Sequence, residues 1–237
     1  MPVARLRVAS YNLRDFLDDE AAARRVVRAI APDVLLLQEV PRRLGSGRRV
    51  ARFAAGVGLV WPGHHRGSGG TTVLLSPRVQ LRHAEHLRLP VRPFARTRGF
   101  AIVQLALDGV ELVAASVHLS LRGDERVRHA RAILDRLGAD AAAAELPILV
   151  AGDLNEGSDG PAWGLIAGRL HVLTGSAPTY PVDAPVHRLD VIWGDRHVDV
   201  VAEGSIDQLV ADGLARRDVV SATDHLPVWS DVEVRTG

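Results

Sequence analysis

Asp153 and Asn155 stand two residues apart directly after residues 148–152, a run of five apolar or small residues that reads as a buried strand. A strand that stops at oxygen-bearing side chains sets them at the edge of a rigid scaffold, where chemistry is commonly held. The arrangement recurs: Asn12 follows VASY, Glu39 follows DVLLLQ, His118 follows VAASV, Asp190 sits in HRLDVIW, and Asp224 and His225 sit in SATDHLPVW. Taken singly, an Asn or Asp after a strand is usually a turn residue. A lone His in an apolar strand is more often a hydrogen-bonded core residue than a catalyst. Glu39 is harder to treat as ordinary, because a carboxylate beside the apolar run 34–37 is costly to bury unless paired or bound to a cation. Together these residues supply the parts for hydrolysis: hard oxygen ligands for Mg²⁺ or Mn²⁺, a carboxylate to activate water, and imidazoles to move protons or bind phosphate. Alternate residues of an extended segment share a face, so the Asp-x-Asn spacing predicts that both side chains reach one phosphate. His64, His65, His83 and His86 have no strand-end acid nearby in sequence and are expected on the surface.

The elements that must position these groups follow from periodicity and turn signals. Strands are expected at 6–12 and 33–40, alternating with helices at 19–30 and 48–57, the first helix opening on acids suited to an N-terminus. Strands then dominate, at 71–76, 79–87, 98–107 and 110–118, with Asp108-Gly109 joining the last two as a hairpin. A long helix at 124–144, with Val127, Ala130, Ile133, Leu134 and Leu137 on one side, leads into the strand at 148–152. A short helix near 162–167, a polar, Pro-rich loop at 175–185 and strands at 188–193, 197–201 and 227–234 complete the chain. Strands mixed with hairpins and a few helices predict two sheets packed face to face with helices outside.

Composition narrows the classes. The 237 residues, 47% of them apolar, suffice for one large domain over 1–237, and no linker divides it. The absence of Cys removes disulfides, thiolate nucleophiles and Cys-ligated metals, and the cytoplasm is the expected compartment. No apolar run approaches the roughly 18 residues needed to span a bilayer. The start, MPVARLRVASYN, is expected to be the first strand and not a leader, since it lacks a continuous apolar stretch. The net charge is +1, yet all 29 basic residues are Arg, grouped at Arg42, Arg43, Arg48, Arg49, Arg52 and at Arg88, Arg92, Arg96, Arg98. Each group is either a solvated basic face or a set of bidentate phosphate contacts.

The ordered series YN at 11–12, LLLQEV at 35–40, SVHLS at 116–120, AGDLNE at 151–156, RLDVIW at 188–193 and TDHLPV at 223–228 resembles the endonuclease/exonuclease/phosphatase superfamily along nearly the whole chain. The resemblance implies a four-layered α/β sandwich, two packed mixed β-sheets flanked by helices, with the site where the sheets open at one end. It implies Glu39 as principal metal ligand, assisted by Asn12 and Asp224. It implies that Asp153 orients or deprotonates the attacking water and that Asn155 binds a phosphate oxygen or helps hold the metal. His225, oriented by Asp190, would stabilise the phosphorane or transfer a proton; the family does not fix which of Asp153 and His225 is the base. His118 resembles the second histidine of nuclease members, but the stretch RGSGGTTVLLS lacks the acid that pairs with it in the secreted branch. Arg98 resembles a substrate-phosphate arginine, with Arg96 close enough to compete for the alignment. The expected activity is Mg²⁺- or Mn²⁺-dependent phosphodiester hydrolysis with nucleic acid as substrate. The alternatives are a phosphomonoesterase or lipid or inositol-phosphate hydrolase, and a non-catalytic phosphate-binding module.

Overall fold

In the computed structural model, which describes residues 2–43, 45–63, 67–142 and 145–236, eleven strands form two sheets. The first contains β1 (Val3–Asn12), β2 (Val34–Gln38), β3 (Thr72–Leu75), β10 (Val198–Glu203) and β11 (Val228–Arg235), in the order β10-β11-β1-β2-β3. The second contains β4 (Gln80–Leu89), β5 (Arg98–Leu107), β6 (Val110–His118), β7 (Ile148–Asp153), β8 (His171–Val172) and β9 (Asp190–Gly194), in the order β4-β5-β6-β7-β9-β8. Each sheet has one parallel pair, β1 with β2 and β6 with β7, and is otherwise antiparallel.

The continuous apolar run of β2 is explained by burial on both faces. Val34 and Leu36 point into the core between the sheets, while Leu35 and Leu37 point outward under the helices. The outer face of the first sheet is covered by α1 (Glu20–Ile30), α2 (Ser46–Gly56), α5 (Ile206–Ala211) and α6 (Arg216–Ala222). That of the second is covered by α3 (Gly123–Ala142) and α4 (Pro161–Ala167), making the four layers that were expected. The Asp19 side chain accepts from the Ala21 and Ala22 amides, which starts α1, and Ala22, Ala23, Val26, Val27 and Ile30 give it one buried face. Asp108 and Gly109 both have positive φ, 50° and 82°, as a two-residue hairpin of this twist requires.

Helices α5 and α6 were not anticipated: at six and seven residues they are shorter than two turns, too short for an apolar period to repeat. No helix among the described residues is long and apolar enough to cross a membrane. The two crossovers explain where a site can form. Because each parallel pair runs the same way, Asn12 lies opposite Gln38 and His118 opposite Asp153 at strand C-termini. Just below, Gln38 ties the sheets together, donating to Ser116 Oγ at 3.1 Å while Ser116 Oγ donates to the Leu37 carbonyl at 2.8 Å.

Candidate active site

A cleft of about 700 Å³ opens at this end of the sandwich. Asn12, Glu39, Arg98, His118, Asp153, Asn155, Asp224 and His225 all line it, and Asp190 lies behind His225. Residues more than 200 positions apart meet because β1, β2, β6 and β7 end there, β9 begins there, and the segment before β11 returns there.

Asp153 is the centre. Its Oδ2 accepts from Asn12 Nδ2 at 3.0 Å and faces His118 Nε2 at 3.4 Å and His225 Nε2 at 3.8 Å. Its Oδ1 accepts from the Asn155 amide at 2.8 Å. Burial first, then the charge on Asp190, pushes the Asp153 carboxyl up to about 7. His225 Nδ1 lies 2.8 Å from Asp190 Oδ2. Burial works against an imidazolium there, but Asp190, helped by Asp153 and Asp224, outweighs it and holds His225 up to about 9. His118 behaves oppositely: burial, then Arg98 and His225, keeps it well below its ordinary value and therefore neutral.

The missing acid near His118 is answered by other partners. Its Nδ1 lies 3.5 Å from Arg98 Nη1, which makes Nδ1 the acceptor and turns a protonated Nε2 toward Asp153 and Glu39. The glycine loop of that stretch has a packing role. A Cβ on Gly69, whose φ is +68°, would sit 2.6 Å from the Arg98 backbone, so only glycine lets this loop press on the start of β5. Arg98 is buried, and burial lowers its pKa. Arg96 is exposed and lies on Glu39 Oε2 at 3.2 Å and on Asp15. The two arginines thus have separate positions in the cleft, Arg98 inside and Arg96 at the rim.

Two expectations need correction. The extended segment stops at Asp153; Asn155 has φ 49°, and its Nδ2 donates to the Leu119 carbonyl at 3.1 Å. Asn155 therefore reaches the cleft through a left-handed turn and not by strand alternation, because Asp153 Oδ1 bonds its amide in an Asx-like turn. His86 is half-buried, with Nδ1 3.1 Å from Ser68 Oγ, so it is not a surface residue; His83 is exposed beside Glu85, and His64 and His65 lie outside the described residues.

Asp153, Asp190 and His225 place one ligand atom each within 4.8 Å of one another, close enough to hold a metal ion. Within that cluster, Asp190 Oδ2 takes both His225 Nδ1 and, at 2.6 Å, the Thr179 hydroxyl, while Asp190 Oδ1 has no hydrogen-bond partner among the described residues. The expected ligands offer a different donor set: Glu39 Oε1, which faces His118 Nε2 at 3.9 Å, with Asn12 Oδ1 and the half-exposed Asp224 carboxylate on the same cleft. All are oxygens, which suits a hard divalent cation.

Sequence reasoning missed Thr179 and Tyr180. Thr179 Oγ1 donates to Asp190 and accepts from the Leu189 and Asp190 amides, and the Tyr180 ring packs against that of His225, centroids 4.8 Å apart and planes tilted by 44°. Both come from the Pro-rich loop, and nothing local marks them. Glu156, adjacent to the motif, is also structural: it accepts from the Ala162 and Trp163 amides at the start of α4 and from Arg126.

The sequence model of the Endonuclease/Exonuclease/phosphatase family matches residues 9–225. Among curated proteins none matches this sequence. Among solved structures, an endonuclease/exonuclease/phosphatase from Bacteroides vulgatus is similar, at 17% identity over 98% of this chain and 100% of that one, with a TM-score of 0.75. A mannosyl-6-phosphatase from Bacteroides thetaiotaomicron shares 16% identity over 96% and 99%, TM-score 0.72. ANGEL2, a 2′,3′-cyclic phosphatase solved with adenosine-2′,3′-vanadate, shares 14% over 98% and 96%, TM-score 0.77. At these identities the likeness to the solved structures is one of fold.

Proposed function

The chain belongs to the endonuclease/exonuclease/phosphatase family, and from that premise and the chemistry of its cleft we propose that it is a divalent-metal-dependent phosphodiesterase acting on nucleic acid. The observation that carries the reading is the position of Asp153, with Asn12 fixing one carboxylate oxygen and the Nε2 atoms of two differently charged histidines facing it at 3.4 and 3.8 Å. Glu39, with Asn12 and Asp224, would hold Mg²⁺ or Mn²⁺, which when bound supplies charge neutralisation at the scissile phosphate and the developing oxyanion.

The remaining chemistry belongs to the chain. Hydrolysis forms a P–O bond to water and breaks one P–O ester bond, so one proton leaves the water and one reaches the departing oxygen. Asp153 and His225, whose facing atoms lie 3.8 Å apart, are the two groups positioned to handle them. Asp190 and Thr179 keep His225 aimed at the cleft. His118, held neutral, offers its Nε2 proton as a fixed donor to a phosphoryl oxygen, and the second N–H of Asn155 is available for another. Arg98 adds a fixed positive charge behind them.

The test is a substrate panel after chelation and readdition of Mg²⁺ or Mn²⁺: plasmid DNA, RNA, bis-p-nitrophenyl phosphate, p-nitrophenyl phosphate and inositol polyphosphates. Metal-dependent cleavage of nucleic acid and of the aryl diester is expected, and Glu39→Gln should lower it by roughly 10²-fold or more without loss of fold. Chelated protein working at full rate would overturn the metal assignment. A clear preference for a monoester, with no nucleic-acid cleavage at low salt, would replace the diesterase reading by a phosphomonoesterase one.

A further inference from the structure

Beside the catalytic cleft runs a second, larger groove of about 1130 Å³, lined by Arg42, Arg43, Arg49, Arg52, Arg88 and Arg96. The two arginine groups are far apart in sequence. They converge because the β2–α2 connection and α2 from one sheet face the ends of β4 and β5 from the other. The only acid among its described lining residues is Asp15, and Arg96 belongs to the walls of both cavities. In a chain of net charge +1, this concentrates positive charge next to the reacting centre.

Some of these arginines are neutralised: Arg49 pairs with Glu20 at 2.8 Å, and Arg96 with Asp15 and Glu39. Arg43, Arg52 and Arg88 are exposed and have no carboxylate partner among the described residues. Helix α2 points its N-terminus into the same groove, at Gly45 and Ser46, with no side-chain cap and no acid in its first turn. Its first turn carries Arg48, of the same sign as the helix terminus, an arrangement that an anion in the groove would relieve. On the β4–β5 connection Phe94 is fully exposed between Arg92 and Arg96.

We propose that this groove is a second, non-catalytic phosphate site that holds the sugar-phosphate backbone of single-stranded nucleic acid, with Phe94 stacking an adjacent base. The proposal rests on the phosphodiesterase reading for what happens at Asp153, and it deepens that reading by making the preferred substrate an extended polyanion. The arginines supply sequence-independent backbone contacts, and an aromatic face accepts any base, the pairing that single strands require. A bilayer is disfavoured because a flat surface cannot enter a groove to reach the arginines that line it.

Binding can be tested apart from catalysis, in EDTA, by the anisotropy of fluorescein-labelled oligodeoxynucleotides of two, six and twelve residues. The twelve-mer should bind at least about tenfold more tightly than the dinucleotide. Arg43→Glu/Arg52→Glu/Arg88→Glu should abolish most of that gain and flatten the log Kd against log salt slope by about 2, the release expected from three lost contacts on a single strand. Phe94→Ala should weaken the twelve-mer roughly tenfold. If the triple variant does not fold, by thermal scan, Arg88→Ala alone should still weaken the twelve-mer a few-fold. Unchanged twelve-mer affinity in the folded variants, absence of length dependence in the wild type, or binding to phosphatidylglycerol vesicles without binding to oligonucleotide would overturn the groove. Length-dependent binding without any DNA or RNA cleavage in Mg²⁺ or Mn²⁺ would instead overturn the nuclease reading and leave the groove standing.

Discussion

Asp190 does not line the cleft; its Oδ2 accepts from His225 Nδ1, 2.8 Å away, and from the Thr179 hydroxyl. In the proposed hydrolysis Asp190 would act through His225, so Asp190→Asn and His225→Ala should each slow it by roughly 10²–10⁴-fold, and the double variant by hardly more. Additive losses in that cycle would show that they act separately. The pair also carries a pH signature in chelated protein. His225 is raised from 6.5 to about 9, so folding stabilises its protonated form. That contribution, on the order of 3 kcal/mol, is complete below pH 6.5 and is lost as pH rises through 9. The thermal stability of the wild type relative to His225→Gln should therefore be greatest near pH 6 and shrink toward pH 9; a difference that grows with pH would contradict the pairing.

At the level of elements, the contact of β6 with β7 sets the distance between His118 and Asp153. Gly152 lies opposite Val117 in that pair, and a Cβ on it would fall 1.9 Å from the Val117 carbonyl oxygen. Gly152→Ala must push the two strands apart one residue before Asp153. The cost should be at least about 1–3 kcal/mol, with a larger proportional loss of kcat/KM than of stability. Thermal unfolding and kinetics on the aryl diester check this, and a Gly152→Ala enzyme with wild-type values for both would show that the strands tolerate separation. Other element boundaries are matters of hydrogen bonding: β9 begins at Asp190 and not at 188, because the Leu189 and Asp190 amides are held by Thr179 and the Leu189 carbonyl accepts from Leu154.

Across the whole molecule, the chain closes on itself. Strand β11, the last element, lies inside the first sheet between β10 and β1, with residues 228–235 paired to 3–10. Val232 and Val234 are buried in the core between the sheets, and Asp224 and His225 enter the cleft from the segment just before it. A chain ending at Pro227 would lose an interior strand and leave β1 with an open edge, so no cooperative thermal transition is expected by circular dichroism. A truncated protein that still unfolds cooperatively near the wild-type temperature would show that β11 is dispensable.

Periodicity and turn chemistry are local, and what depends on them was legible in the sequence: the doubly buried β2, the capped α1, the Asp108-Gly109 hairpin, and the recurrence of Asn12, Glu39, His118, Asp153 and His225 at strand ends. Two packed sheets with helices outside also followed from the order of elements. What needed tertiary structure involves partners distant in the chain. Thr179 behind Asp190, Tyr180 on His225, Gln38 reaching Ser116, and Arg98 at the Nδ1 of His118 are all contacts across more than ten residues, and residue type does not announce them. The same holds for charge. Whether Arg42–Arg52 and Arg88–Arg98 are two solvated faces or one groove depends on how the two sheets oppose each other, and the structure places members of both in a single cavity. Charged partners likewise send His118 and His225 to opposite protonation states: burial disfavours the imidazolium at both, Arg98 adds to that effect at His118, and Asp190 outweighs it at His225.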